Sequence, residues 1–221
     1  NIWEVFYLWD WVAKATGLRG VAYNELVEFS SGWVWIALNL EEHFVWIVVL
    51  SGFNQIKEGE KVISTGKTLE VPVWEGLIWR VVDSLWNPID GLWEIKSTLK
   101  FPIERVATWV MDRKSVNEPL QTWLKAIDAL VPIWRWQREL IIWDRQTWKT
   151  QVAIDTIINQ KWQDVICIYV AIWQKEWKVA RVVESLRDAW AMDYTIVVSS
   201  GASSPASMQY LAPYSGCAMW E

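Results

Sequence analysis

Residues 139 to 150, ELIIWDRQTWKT, set the tightest limit on what this chain can fold into. The apolar run Leu140-Ile141-Ile142 predicts a buried strand. Eight residues follow, Trp143 to Thr150, and end in Lys149-Thr150. The next stretch, KTQVAIDTIINQK, places its apolar residues at helical spacing. A strand, a short loop closing on Lys-Thr and a helix form the layout of a phosphate-binding loop, G-x-x-x-x-G-K-[ST]. Both glycine positions hold tryptophan, Trp143 and Trp148, the largest side chain where the smallest is needed.

The same imbalance runs through the whole chain. Its 221 residues contain 21 tryptophans and 10 glycines, whereas a usual glycine share of about 7% would give roughly 15. Many tryptophans ignore the period of any helix or strand. Trp86 stands in SLWNPIDG, beside Asn87-Pro88 and before Asp90-Gly91, a turn by its local chemistry. Trp134 and Trp136 bracket Arg135 just after a proline, and Trp9 and Trp11 bracket Asp10. Trp190 falls where a helix should end before the strand YTIVVSS, a place that favours φ > 0. At such positions the missing Cβ of glycine is useful and an indole is a liability. An aromatic-rich core or a sugar-binding face would gather the rings on one surface, yet they cluster at turns. Reading tryptophan as glycine makes the local chemistry coherent throughout, as in IIGDRQTGKT and LGNPIDG. Translation in which the codon UGA means glycine would produce this pattern.

Residues 1 to 68 read as short β segments with turns, GVAYNELVEFS, WIALNLE, FVWIVVL and KVISTG, a small all-β barrel lacking its first strand or strands. From 69 to 221 the pattern is α/β. ELIIWD, DVICIYVAI and YTIVVSS read as strands; KTQVAIDTIINQK, EWKVARVVESLRDA and the stretch from SPASMQ onward read as helices. That alternation predicts a parallel sheet covered by helices. The first residues read as mid-barrel and the last stop inside a helix, so the chain reads as a fragment, its second domain also incomplete.

Net charge is −5, which offers nucleic acid no basic surface. The longest apolar runs are strand-sized, far below the roughly 20 residues of a membrane span. NIWEVFYLWDW lacks the basic start of a signal peptide. Cys167 and Cys217 fit no metal spacing, and Cys167, inside an apolar strand, reads as a reduced buried thiol. These features fit a cytoplasmic protein. His43 in EEHF reads as a surface histidine, and Glu176 as solvated helix surface.

With tryptophan read as glycine, the chain resembles the alpha-subunit family of F-type (rotary) ATP synthases along essentially its whole length. GLRGVAYNELVEFSSG (17 to 32), RVVDSLWNPIDG (80 to 91), RKSVNEPLQTWLKAIDALVPIWRWQRELIIWDRQTWKT (113 to 150), DTIINQK (155 to 161), CIYVAIWQK (167 to 175) and MDYTIVVSS…LAPYSGCAMWE (192 to 221) carry the resemblance. It implies an N-terminal β-barrel, a RecA-like P-loop nucleotide-binding domain and a C-terminal helical domain. The last of these lies beyond Glu221, with a second acidic strand that helps hold Mg²⁺ and an arginine lent to the neighbouring site.

The resemblance implies that Trp143, Asp144, Arg145, Gln146, Thr147, Trp148, Lys149, Thr150 and Gln151 form the nucleotide site for ATP or ADP. Backbone N–H groups of Arg145, Gln146 and Thr147 would line a concave nest at a helix N-terminus. Lys149 would contact the β- and γ-phosphates, Thr150 would offer its hydroxyl to Mg²⁺, and the Gln151 backbone would reach the α-phosphate. Taken literally, Trp148 would be forced to φ > 0 and its ring would fill phosphate space. Gln174 stands where the catalytic beta subunit carries a glutamate, and an amide can orient a water but cannot take its proton. The implied role is non-catalytic, regulatory Mg-ATP binding and support of catalytic beta subunits in proton-driven ATP synthesis. The implied partners are beta subunits in an alternating hexameric ring, the central rotor stalk and the peripheral stalk. The implied place is the cytoplasmic face of a bacterial inner membrane, held there only through the complex. Two rivals remain at this level: a catalytic ATPase of the same fold, beta-type or secretion-type, and a Trp-rich binding module with genuine tryptophans.

Overall fold

The computed structural model describes residues 3–220 apart from 10, 18, 19, 51, 74, 145 and 146. Strands β1 (Trp3–Trp9), β2 (Val12–Thr16), β3 (Glu25–Phe29), β4 (Val34–Leu40), β5 (Phe44–Val48) and β6 (Lys61–Thr68) form a closed barrel in the order β1-β2-β5-β4-β3-β6. Closure comes from β1 against β6, where Trp3 pairs with Val62 and Glu4 with Lys61. The six described strands close on one another. Alternation sets the two faces. Ala13 and Ala15 of β2, Val27 and Phe29 of β3, and Val45 and Ile47 of β5 point into the lumen. The small Ala13, Ala15 and Ala37 leave room for Phe29 and Trp35, whose rings lie 4.3 Å apart at 52°.

One carboxylate is buried in this region. Glu25 accepts hydrogen bonds from the Ala22 and Gly66 N–H groups, both at 2.8 Å, and from the Ser64 hydroxyl. Burial alone would raise its pKa, but these three donors outweigh burial and hold it below the ordinary carboxylate value.

Beyond the barrel, β7 (Glu70–Pro72) pairs with β9 (Lys100–Pro102), and β8 (Val81–Val82) lies between them in sequence. Arg80 is 1% exposed. It meets Asp90 at 2.6 and 3.1 Å and donates a further hydrogen bond to the Trp93 carbonyl at 2.7 Å. This buried pair ties the turn 83–90 to the start of β8. Asp83 organises the turn itself, accepting from the Leu85 and Asn87 N–H groups at 2.8 Å. Next come β10 (Pro119–Leu120), α1 (Lys125–Leu130), β11 (Ile133–Trp134), α2 (Lys149–Ile158), β12 (Cys167–Gln174), α3 (Glu176–Asp188), β13 (Thr195–Gly201) and α4 (Ala206–Trp220).

β12, β13 and β8 form a parallel sheet in that order, as the alternating pattern predicts. α3 buries Val179, Val182, Val183 and Leu186, one helical stripe, against one face of the sheet together with Ile154 of α2. α4 covers the other face. There a Cβ on Gly216 would lie 2.6 Å from the Val170 side chain, so only glycine permits this helix–strand approach. α4 also meets the barrel: Leu211 and Ala218 pack with Ile36 and Leu50, and the Ser207 hydroxyl donates to the Val49 carbonyl.

One sequence expectation fails here. Residues 137 to 144, predicted to include a buried strand, carry no regular structure, and Leu140 and Ile142 are 79% and 78% exposed. A strand persists only with a neighbour to satisfy its backbone groups, and none of the described strands pairs with this one.

The backbone supplies the most unusual finding. Among the described residues, ten that are not glycine adopt φ between 53° and 76°. Two are Asn24 and Asp164, types that tolerate this region. The other eight are all tryptophan: Trp11, Trp79, Trp86, Trp123, Trp136, Trp162, Trp173 and Trp190. Each costs roughly 1–2 kcal/mol relative to a right-handed conformation. Together they approach the roughly 5–15 kcal/mol that holds a whole domain folded.

Candidate functional site

The segment 143 to 150 runs into the N-terminus of α2. The Lys149 ammonium turns back over it and donates a hydrogen bond to the Trp143 carbonyl at 2.8 Å, so the eight-residue span closes on its own lysine. Inside the span, the Thr147 hydroxyl donates to the Asp144 carbonyl at 2.6 Å. Arg145 and Gln146 lie outside the described residues. Trp148 caps α2 with no side-chain hydrogen bond, and the first turn of the helix carries no acid. The positive end of the helix dipole is therefore uncompensated, a setting that favours an anion.

The expected φ > 0 at Trp148 is not found; its φ is −65° and ψ 3°, close to helical. At this residue the chain has already turned into α2, and its carbonyl accepts from Val152 N–H at 2.9 Å as a first helical bond. Any obstruction by Trp148 is therefore a matter of ring volume rather than backbone strain. Trp143 and Trp148 are 64% and 73% exposed, so both indoles stand largely in solvent. Thr150 is exposed in the first turn of α2. The Gln151 side chain is engaged elsewhere, donating to Asp155 at 2.7 Å.

The far end of α2 orients this loop relative to the sheet. The Tyr194 hydroxyl, just before β13 begins, reaches the Ile157 and Ile158 carbonyls, both at 3.0 Å. The C-terminus of α2 thus lies beside the start of β13. The carboxyl ends of the parallel strands form the edge where open α/β sheets bind ligands.

Gln174 closes β12 at that same edge. A register shift between Ile172 and Gln174 places Trp173, φ 60°, as an extra residue opposite β13, a bulge with its odd residue in the left-handed region. The bulge reverses the strand's parity beyond it. Positions 169 and 174, opposite in a regular strand, come to share a face, and the Gln174 amide reaches the Tyr169 hydroxyl at 3.3 Å. The Gln174 carbonyl also accepts from Ala202 N–H at 3.1 Å. Strand periodicity hides the Tyr169 contact; the signal that could have revealed it is a position suited to glycine inside an apolar strand.

The remaining candidates behave simply. Cys167 is buried and free, and burial pushes its thiol up to about 11, which disfavours the thiolate at neutral pH. Cys217 is free and exposed, and His43 is exposed in the β4–β5 turn. Glu176 is exposed at the first residue of α3, where a negative charge complements the dipole. Among the described residues no group of His, Cys, Asp or Glu could hold a metal by itself.

Comparison with known proteins agrees with this order of domains. A model described as the ATP synthase alpha/beta family, beta-barrel domain, matches residues 5–66, and one described as its nucleotide-binding domain matches residues 124–221. The chain is 59% identical over 221 residues to ATP synthase subunit alpha of Ligilactobacillus salivarius (strain UCC118), across 100% of this chain and 44% of that protein. The chain therefore spans less than half the length of that relative. A closed β-barrel followed by an α/β nucleotide-binding domain, with both family models in matching order, makes this chain a member of the ATP synthase alpha/beta family.

Proposed function

We propose that this chain is the barrel and nucleotide-binding part of an F-type ATP synthase alpha subunit, binding Mg-ATP or ADP without turning it over. The first unit, residues 1–68, is the barrel, and the second, residues 69–221, belongs to the nucleotide-binding domain. The observation that carries the reading is the Lys149 ammonium at an uncompensated helix N-terminus, hydrogen-bonded back to the Trp143 carbonyl. In this reading Lys149 leaves the Trp143 carbonyl and moves onto the β- and γ-phosphates as a mobile point charge. Backbone N–H groups of Arg145, Gln146 and Thr147 and the start of α2 would surround the phosphates, the Gln151 N–H would approach the α-phosphate, and Thr150 would offer oxygen to Mg²⁺. The phosphates supply most of the cation's ligands.

Gln174 is the reason for assigning a holding role. Its amide, at the carboxyl edge of the sheet and steadied by Tyr169, can orient a water but has no basic oxygen to accept a proton. The chain then serves as a regulatory site and a wall between catalytic beta subunits in an alternating ring. That ring works with a rotor stalk and a peripheral stalk in proton-driven ATP synthesis. It sits on the cytoplasmic face of a bacterial inner membrane and touches that membrane through other subunits.

The test uses the intact alpha subunit, assembled with its beta subunits. Lys149→Gln should weaken Mg-ATP binding at the non-catalytic sites more than tenfold, as a charged phosphate contact is lost, while the ring still assembles. Undiminished affinity in that variant would contradict the reading. Steady ATP hydrolysis by the alpha subunit alone would instead favour a catalytic ATPase of this fold.

A further inference from the structure

We infer that in the working protein glycine stands at Trp11, Trp79, Trp86, Trp123, Trp136, Trp162, Trp173 and Trp190, because the source cell reads the codon behind them as glycine. Three of these positions carry the inference through local geometries that have nothing to do with one another.

Trp190 ends a helix. The Trp190 N–H bonds to the Arg187 carbonyl at 3.0 Å, and the Ala191 N–H to the Leu186 carbonyl at 2.8 Å. With Ala189 as the cap of α3, these are the two bonds of a Schellman motif, and Trp190, φ 59°, is its C′ residue. Glycine is the usual occupant because it alone has no Cβ to clash in the left-handed conformation. Trp173 is the odd residue of the bulge in β12, again a glycine position. Trp86, φ 57°, sits in the tight turn built by Asp83, its own N–H bonding the Asp83 carbonyl at 3.0 Å. Helix end, bulge and turn make the same demand.

Trp11 and Trp86 pack against core clusters, but at three other positions the side chains give no counterweight. Trp190, Trp173 and Trp162 are 69%, 71% and 90% exposed, so their rings gain little from packing while the backbone bears the strain. A surface built to bind through indoles would gather them. These lie instead on the barrel at Trp11, in the turn beside β8 at Trp86, at the bulge of β12 and at the end of α3. Trp35 makes a useful contrast: it is fully buried and absent from the left-handed set. The same decoding extends to Trp143 and Trp148, an extension that rests on the proposed nucleotide site rather than on φ.

Peptide mass spectrometry of the protein purified from its source cells tests the two parts separately. Cleavage after Lys161 and Lys175 releases residues 162 to 175, which contain Trp162 and Trp173 and no other tryptophan. The expected mass is lighter than the tryptophan sequence by two indolylmethyl groups, each replaced by hydrogen, with UGA codons at both positions. The tryptophan mass in that peptide overturns the inference. Cleavage after Arg138 and Arg145 releases ELIIWDR, which contains Trp143 alone. Glycine in the first peptide with tryptophan in the second would keep the backbone inference and defeat the nucleotide site; glycine in both supports each.

Discussion

The barrel and the segment 137 to 144 are written in equally apolar residues, yet one forms ordered strands and the other forms none. In the barrel every strand finds both neighbours within about 65 residues of chain, and closure leaves no free edge. Leu140, Ile141 and Ile142 are as hydrophobic as Val45 and Ile47, but no described strand takes up their backbone groups, and they stay exposed. Hydrophobicity makes a segment eligible for burial; a pairing partner decides whether it becomes a strand. The left-handed tryptophans divide differently. They occur in both regions, Trp11 in the barrel and seven beyond it, so the backbone demand for glycine belongs to the whole chain.

The largest effect should come from replacing all eight left-handed tryptophans with glycine in one chain. Relief of roughly 1–2 kcal/mol per position, less a partial entropic cost of about 0.5–1 kcal/mol for each glycine, should raise the urea midpoint markedly. An unchanged or lowered midpoint would break the argument from φ. Next in size is Arg80→Ala, which strands the Asp90 carboxylate in a buried site and should cost about 3–5 kcal/mol. The transition monitored for the sheet region should shift while that of the barrel does not.

A smaller change is expected from Asp128→Ala. Asp128 accepts from Thr122 N–H at 3.1 Å, from the Thr122 hydroxyl at 2.6 Å and from Trp123 N–H at 2.8 Å, so its loss should cost about 1 kcal/mol. Thermal denaturation of the variant checks it.

Acid gives the last comparison. Hydrogen bonds from Thr122 lower the Asp128 pKa. For Asp90, burial pushes upward, but the Arg80 hydrogen bonds and charge, with the Val81 and Leu92 N–H groups, hold it lower still. A depressed folded pKa gives stability that is complete above the unfolded carboxylate value and is lost as pH falls through the folded one. The urea midpoint should therefore hold level from neutrality down to the ordinary carboxylate range and decline below it. A decline that begins near neutral pH would point to groups other than these.

Much of this was legible in the sequence. Alternation in GVAYNELVEFS and FVWIVVL revealed barrel strands because small antiparallel strands advertise their faces at period two. Val179, Val182, Val183 and Leu186 revealed α3 in the same way at helical spacing. ELIIWD misled because apolar content reports burial potential and says nothing of where a partner lies. Trp190 was readable as a helix end, since the residues around it switch from helix to strand. Trp148 was misread: a loop motif fixes residue types, but whether position 148 is still loop or already helix depends on where α2 begins. The contact between Gln174 and Tyr169 is hidden from strand periodicity, because a single extra residue at 173 reverses the strand's parity; only the glycine-suited position inside an apolar strand hints at it.

The most direct test of the central claim is Mg-ATP titration of two chains that differ only at positions 143 and 148, both carrying glycine at the eight left-handed positions. With Trp143→Gly and Trp148→Gly the chain should bind Mg-ATP with an affinity that falls on Lys149→Gln, while the chain retaining both indoles should not bind measurably. Equal binding by the two chains would contradict the account, because it would show that these indoles never stood in the way of a phosphate.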